Sequence, residues 1–189
     1  IRNLKVFFMA ADMDIDITSL KPYIAKIDAW IDGYIDAHRN ERARISELGH
    51  PSLPAYFASD ILDNAYAVYK YQVKSPPLHE LGLDGFSFFE SMDPEGITYK
   101  DTFFITPDQK DRESIHFHEL IHIIQWDELG ADKFILTYGA KLLVSGYRRH
   151  PLEVVAYDFT SDFNQGRPIP DLESRVRSHC RELAEKLNF

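Results

Sequence analysis

FHELIHIIQ, residues 117–125, places His118 and His122 four apart, with Glu119 directly after the first histidine. Phe117, Leu120, Ile121, Ile123 and Ile124 around them are apolar enough for a buried helix. On a helix, positions four apart differ by about 40° of rotation and one turn of rise. Both imidazoles can therefore reach one point. Glu119, ~100° round from His118, stands beside that point without sharing it. Two neutral imidazoles suit zinc, and a neighbouring carboxylate that is not a ligand is free to take a proton from water. Two histidines on one helix face also occur for packing alone, so the neighbouring sequence has to supply the rest of a site.

Just upstream, ITYKDTFFIT (97–106) is rich in β-branched and aromatic residues and reads as a strand leading into the motif helix. Thr106, Pro107 and Gln109 read as a capped first turn, the main helix as about 111–129, and Gly130 as its stop. Further helices are predicted over 131–146, 151–163 and 171–189. In the last, Leu172, Val176, Cys180, Leu183 and Leu187 form an apolar row, which makes Cys180 a core thiol. Toward the start, 4–9 alternates as a strand, and 19–49 repeats apolar residues at helical spacing from Ser19 to a stop at Gly49. Residues 58–73 read as a second helix, and 75–96 as loop with short extended pieces near 84–90.

A catalytic zinc takes a third protein ligand and keeps one position open. Glu153, on the far side of one intervening helix, lies in the apolar segment PLEVVAY and is the leading candidate. Asp132 is its rival; Asp127 and Glu128 lie too near His122 on the same helix. Tyr157, one turn beyond Glu153, shares its face and is the candidate donor to a developing oxyanion. His116 points to the other side of the motif helix and reads as structural.

Taken together, residues 118–157 resemble the core of the gluzincin metallopeptidases, most nearly the short minimal gluzincin-like domains of prokaryotes. The shared features are His118 to His122, Gln125, Leu129-Gly130, Gly146-Tyr147 and Pro151 to Ala156. The resemblance implies zinc held by His118, His122 and Glu153, and Glu119 as general base. It also implies an edge strand over 98–106 along which a peptide substrate lies by strand addition. Two departures stand out: His150 occupies a position that is usually Asn, and Tyr157, followed by Asp158, stands where larger gluzincins orient the first histidine with an aspartate.

The expected fold is α+β and mostly helical, with a small mixed sheet (4–9, part of 84–90, 98–106) packed on the motif helix in the zincin manner. One domain covers 1–189: sheet and N-terminal helices to 106, zinc-site helices over 107–165 and a C-terminal helix over 166–189. The expected activity is a zinc-dependent endopeptidase rather than an exopeptidase, in an active or latent form. The alternative is a non-catalytic scaffold or regulatory domain, its cleft plugged by GFSFFE (85–90) or the terminal LNF (187–189).

Bulk properties agree with a soluble enzyme. The 189 residues are 44% hydrophobic and 13% aromatic, enough for a core, and carry a formal charge of −9. With no basic block, nucleic acid is not an expected partner, and no apolar run approaches the ~20 residues of a membrane span. A lone cysteine precludes an internal disulfide and favours a reducing, cytoplasmic setting; secretion is the alternative if a segment upstream of Ile1 was removed.

Overall fold

A computed structural model describes residues 21–83, 94–145 and 149–186, with the backbone alone for 141–145. Its elements in chain order are α1 (Lys21–Ala37), β1 (Ala43–Arg44), α2 (Ser59–Asn64), β2 (Tyr66–Tyr69), β3 (Gly96–Tyr99), β4 (Thr102–Ile105), α3 (Glu113–Ser145), α4 (Pro151–Asn164) and α5 (Leu172–Lys186). The architecture is α+β, predominantly helical, with a mixed sheet of order β1-β2-β4-β3. β2 and β4 run parallel, and the other neighbours are antiparallel.

β4 carries the sequence TFFI and is buried at every position. Successive side chains on a strand face opposite ways. Phe104 accordingly packs on Tyr34 of α1, with ring centroids 4.6 Å apart, while Phe103 meets His116 of α3 at 5.5 Å. The sheet is thus covered by α1 on one face and by the motif helix on the other. Behind α3 lie α4 and α5, both packed against it. Cys180 is fully buried in that layer, as its place in an apolar row predicts, and burial pushes its thiol up to about 12.

The motif helix begins at Glu113, whose Oε1 accepts from the backbone N–H groups of Ser52 and Leu53. It is interrupted at Gly130 (φ 69°, ψ 168°), a left-handed conformation that costs a residue without a Cβ little. Helix resumes at once through Ser145, so the predicted stop at Gly130 is a sharp kink between two helical halves.

Three expectations need correction. The helix predicted over 19–49 ends at Ala37, not at Gly49. There the His38 ring donates from Nδ1 to the Tyr34 carbonyl, and pairing with the sheet then captures Ala43 and Arg44 opposite Ala67 and Tyr66. The helix predicted over 58–73 is helical only through Asn64; Tyr66–Tyr69 is an interior strand. Its aromatic and β-branched residues favour a pleated, buried surface over a helix. Finally, 98–106 is not one edge strand. Lys100, at φ 54°, and Asp101 turn the chain, so that β4 lies inside the sheet and β3 forms its edge among the described residues. The strands expected near 4–9 and 84–90, and the Ser19 cap, lie outside the described residues.

Candidate metal centre

Burial of the Phe117, Leu120, Ile121 and Ile124 side chains fixes the rotation of α3 and turns His118, Glu119 and His122 toward one cleft. Across it, α4 presents Glu153 from its first turn, only 3% exposed. His118, His122 and Glu153 form the one group of potential metal-binding side chains among the described residues. The Nε2 atoms of the two histidines stand 3.1 Å apart, and Oε2 of Glu153 lies 3.6 Å from that of His118 and 3.5 Å from that of His122. Ligands at zinc bond lengths in a tetrahedral array are separated by about 3.3 Å. The three atoms therefore have the spacing of three corners of a zinc tetrahedron.

The hydrogen bonds behind these atoms are those that ligands of such an ion would need. His122 donates from Nδ1 to Oε1 of Gln125 (2.8 Å), whose amide in turn donates to the Leu152 carbonyl at the start of α4 (3.0 Å). Thr160 gives its hydroxyl proton to the Ala156 carbonyl (2.7 Å), so its oxygen is left to accept from Nδ1 of His118 (3.3 Å). In their neutral forms both rings thus carry the proton on Nδ1 and aim an Nε2 lone pair inward, the tautomer a ligating histidine needs. Tyr138 donates to Oε1 of Glu153 (2.7 Å), while Oε2 is buried without a hydrogen-bond partner. A carboxylate oxygen stranded beside two imidazole nitrogens is a donor set that could hold a cation.

Without a cation, protons take that role. Burial opposes charge on His122, but Glu153, with help from Glu119 and Gln125, outweighs it and raises the imidazole to about 9. Burial likewise opposes ionisation of Glu153, and the two histidines outweigh it, holding the carboxyl well below its usual range.

Glu119 is 4% exposed, and its Oε2 accepts from the Thr98 hydroxyl of β3 at 2.6 Å. Its carboxylate lies against Gly96 of the same strand. A Cβ at Gly96 would sit 3.0 Å from Cδ of Glu119 and closer still to Oε1. Trp126, one turn past His122, donates its indole N–H to the Thr98 carbonyl (3.0 Å), which locks the edge strand to the motif helix.

The kink at Gly130 brings the second half of α3 back over the site. Trp126 stacks on Phe134 (3.9 Å), Phe134 on Tyr138 (5.7 Å) and Tyr138 on His150 (4.2 Å), a run of rings that crosses the kink and ends at α4. His150 is fully buried and caps α4: Nδ1 accepts from the Leu152 N–H, and Nε2 donates to the Tyr138 carbonyl. It does with a ring nitrogen what a capping Asn does with its side-chain oxygen. Burial, only partly offset by Glu153, lowers its basicity to about 4.

The sequence candidates fall as follows. His118, Glu119, His122 and Glu153 come together. Tyr157 packs its ring 4.7 Å from that of His118 and is half exposed. Asp132 is exposed and stands outside the cluster, and Asp127 and Glu128 pair with Arg177 and Arg181 of α5. Asp158 is exposed; the partner of the first histidine is Thr160 instead, two turns beyond Glu153 on the same face. His116 faces away, buried, donating from Nε2 to the Lys110 carbonyl. Thr98, Gly96, Tyr138 and Thr160 are site residues that the sequence reading missed. The proposed plugs at 85–90 and 187–189, and Gly146-Tyr147, lie outside the described residues. No helix among the described residues is long and apolar enough to cross a membrane. No family model, curated protein or solved structure matches the chain.

Proposed function

We propose that this chain is a zinc-dependent peptidase of zincin-like fold, with His118, His122 and Glu153 as ligands and Glu119 as general base. The observation that carries the reading is the convergence of two Nε2 lone pairs and an unpartnered carboxylate oxygen at zinc spacing, with Glu119 lining the same cleft. Zinc, when bound, lowers the pKa of water toward neutrality and polarises a carbonyl. The protein's own work is positional. Gln125 and Thr160 fix the tautomers, and Tyr138 orients Glu153. Glu119, held by Thr98, accepts the proton of the attacking water and returns it to the leaving amine. β3 lies at the sheet edge beside Glu119, so an extended peptide laid along it brings its carbonyl to the base. Oxyanion stabilisation falls to Tyr157, whose ring adjoins that of His118.

The test is Glu119→Gln, which removes the base and leaves every ligand. It should keep zinc and fold yet lose at least ~100-fold in peptide hydrolysis, the lower end of what a positioned base supplies. Equal, chelator-sensitive hydrolysis by the variant and the parent would refute the mechanism. Zinc binding with no hydrolysis of any peptide by the parent would favour a non-catalytic scaffold.

A further inference from the structure

His118, His122 and Glu153 are each held from behind by a different side chain, and all three of those partners are uncharged. Gln125 accepts from Nδ1 of His122 at 2.8 Å, and Tyr138 donates to Oε1 of Glu153 at 2.7 Å. Behind His118 stands Thr160, at 3.3 Å. That is longer than the ~2.9–3.0 Å usual for an N–H···O bond, and longer still than one to a charged acceptor. Because Thr160 spends its hydroxyl proton on the Ala156 carbonyl, His118 meets only a neutral oxygen lone pair. The acids on either side of Thr160 in the chain are turned elsewhere: Asp158 is exposed, and Asp162 pairs with Arg167. His118 is also the least buried of the three, its side chain 11% exposed against 8% for His122 and 4% for Glu153. The ligand with the loosest partner is therefore the one nearest solvent.

We propose that Thr160 is the positioning residue that sets how tightly the centre holds zinc: its neutral, distant oxygen behind His118 keeps the ion exchangeable, so that occupancy follows the zinc available to the protein. The inference rests on the three-ligand site of the proposed function, not on the reaction carried out there. An acceptor behind a ligating imidazole orients the ring and raises its donor strength, and such partners are worth about 10- to 100-fold in metal affinity. A hydroxyl oxygen at 3.3 Å supplies the orientation without the charge. Exchange then begins at His118. His122 and Glu153 stay in register, because Gln125 ties the first to the Leu152 carbonyl of α4 and Tyr138 ties the second. An aspartate at position 160, one bond longer than threonine, has the reach to close the gap and adds the missing charge. An asparagine has the same reach without the charge.

The experiment measures zinc binding and does not depend on turnover. The parent chain, Thr160→Val, Thr160→Asn and Thr160→Asp are each titrated with zinc against a chromogenic chelator, and zinc release is timed in excess chelator. Thr160→Asp should bind about tenfold or more tightly than the parent and release zinc correspondingly slowly. Thr160→Asn should lie near the parent, and Thr160→Val, which keeps the shape and deletes the acceptor, should bind about tenfold more weakly. Thermal melts of the zinc-free proteins show which variants fold; should Thr160→Asp fail to fold, the comparison of Thr160→Val with the parent decides. Thr160→Asp binding no more tightly than Thr160→Asn, or Thr160→Val binding as tightly as the parent, would overturn the proposal and leave the three-ligand centre standing. A parent chain that takes up no zinc would overturn both. The predicted order of affinities in a protein whose parent form hydrolyses no peptide would uphold the role of Thr160 and remove the peptidase reading.

Discussion

Tyr138 donates its hydroxyl to Oε1 of Glu153 across 2.7 Å, leaving Oε2 to face the two histidines. One carboxylate oxygen is thereby tethered, and the other is presented singly. Removing that hydroxyl frees the carboxylate to rotate without deleting a ligand. Tyr138→Phe should keep the ring stack and the fold but weaken zinc binding by about 10- to 100-fold, the usual effect of losing a partner behind a ligand. Competition against a chromogenic chelator measures this. Unchanged affinity would show that packing alone holds Glu153.

Gly96 is required for space rather than for conformation, because any Cβ there meets the Glu119 carboxylate. Gly96→Ala should push the base aside while leaving the ligands in place. Hydrolysis should fall by roughly 10- to 100-fold, as small misplacements of reacting groups do, with zinc content unchanged. Parallel measurements of kcat and metal content decide it; full activity would show that Glu119 does not act from its observed position.

His116 supplies a pH signature that is independent of catalysis. Burial against Phe103 and His50 lowers its pKa to about 4, with the Lys110 carbonyl offsetting only part of the effect. The unfolded chain takes up this proton near pH 6.5, whereas the folded chain resists until about 4, so stability falls as pH drops through that window. The loss attributable to His116 between pH 7 and pH 5 is roughly 2 kcal/mol. Urea denaturation in the presence of chelator should therefore show a shallower acid dependence for His116→Phe than for the parent. Parallel curves would mean that His116 takes up its proton as readily in the folded chain as in the unfolded one.

Much of the site was legible because it obeys helical periodicity. His118 and His122 recur at four, and the apolar residues around them state which side of the helix is buried. Glu153 stood out as a carboxylate in an apolar helix. Thr160 obeyed the same rule one turn further than expected and was missed, since a threonine two turns from a ligand resembles any other helical threonine. Gly96 and Thr98 could not be read, because their role arises only when the chain turns at Lys100 and lays β3 against α3. The same long-range pairing explains the two helical overreaches. Arg44 and Tyr66 sit in sequences with tolerable helical spacing, but each gains a strand partner distant in the chain, and local periodicity carries no information about that partner. Gly130 was legible as a helix stop; that the chain resumes helix at once, swinging Tyr138 onto Glu153, was not.

The proposed function depends on an ion held by His118, His122 and Glu153, and zinc stoichiometry tests that most directly. The purified chain, stripped with chelator, supplied with zinc and freed of excess, should contain one zinc per molecule by elemental analysis. Glu153→Ala and His118→Ala should each lose it, and Asp132→Ala should retain it. A parent protein that takes up no zinc, or a Glu153→Ala protein that binds it as fully and as tightly as the parent, would contradict the account.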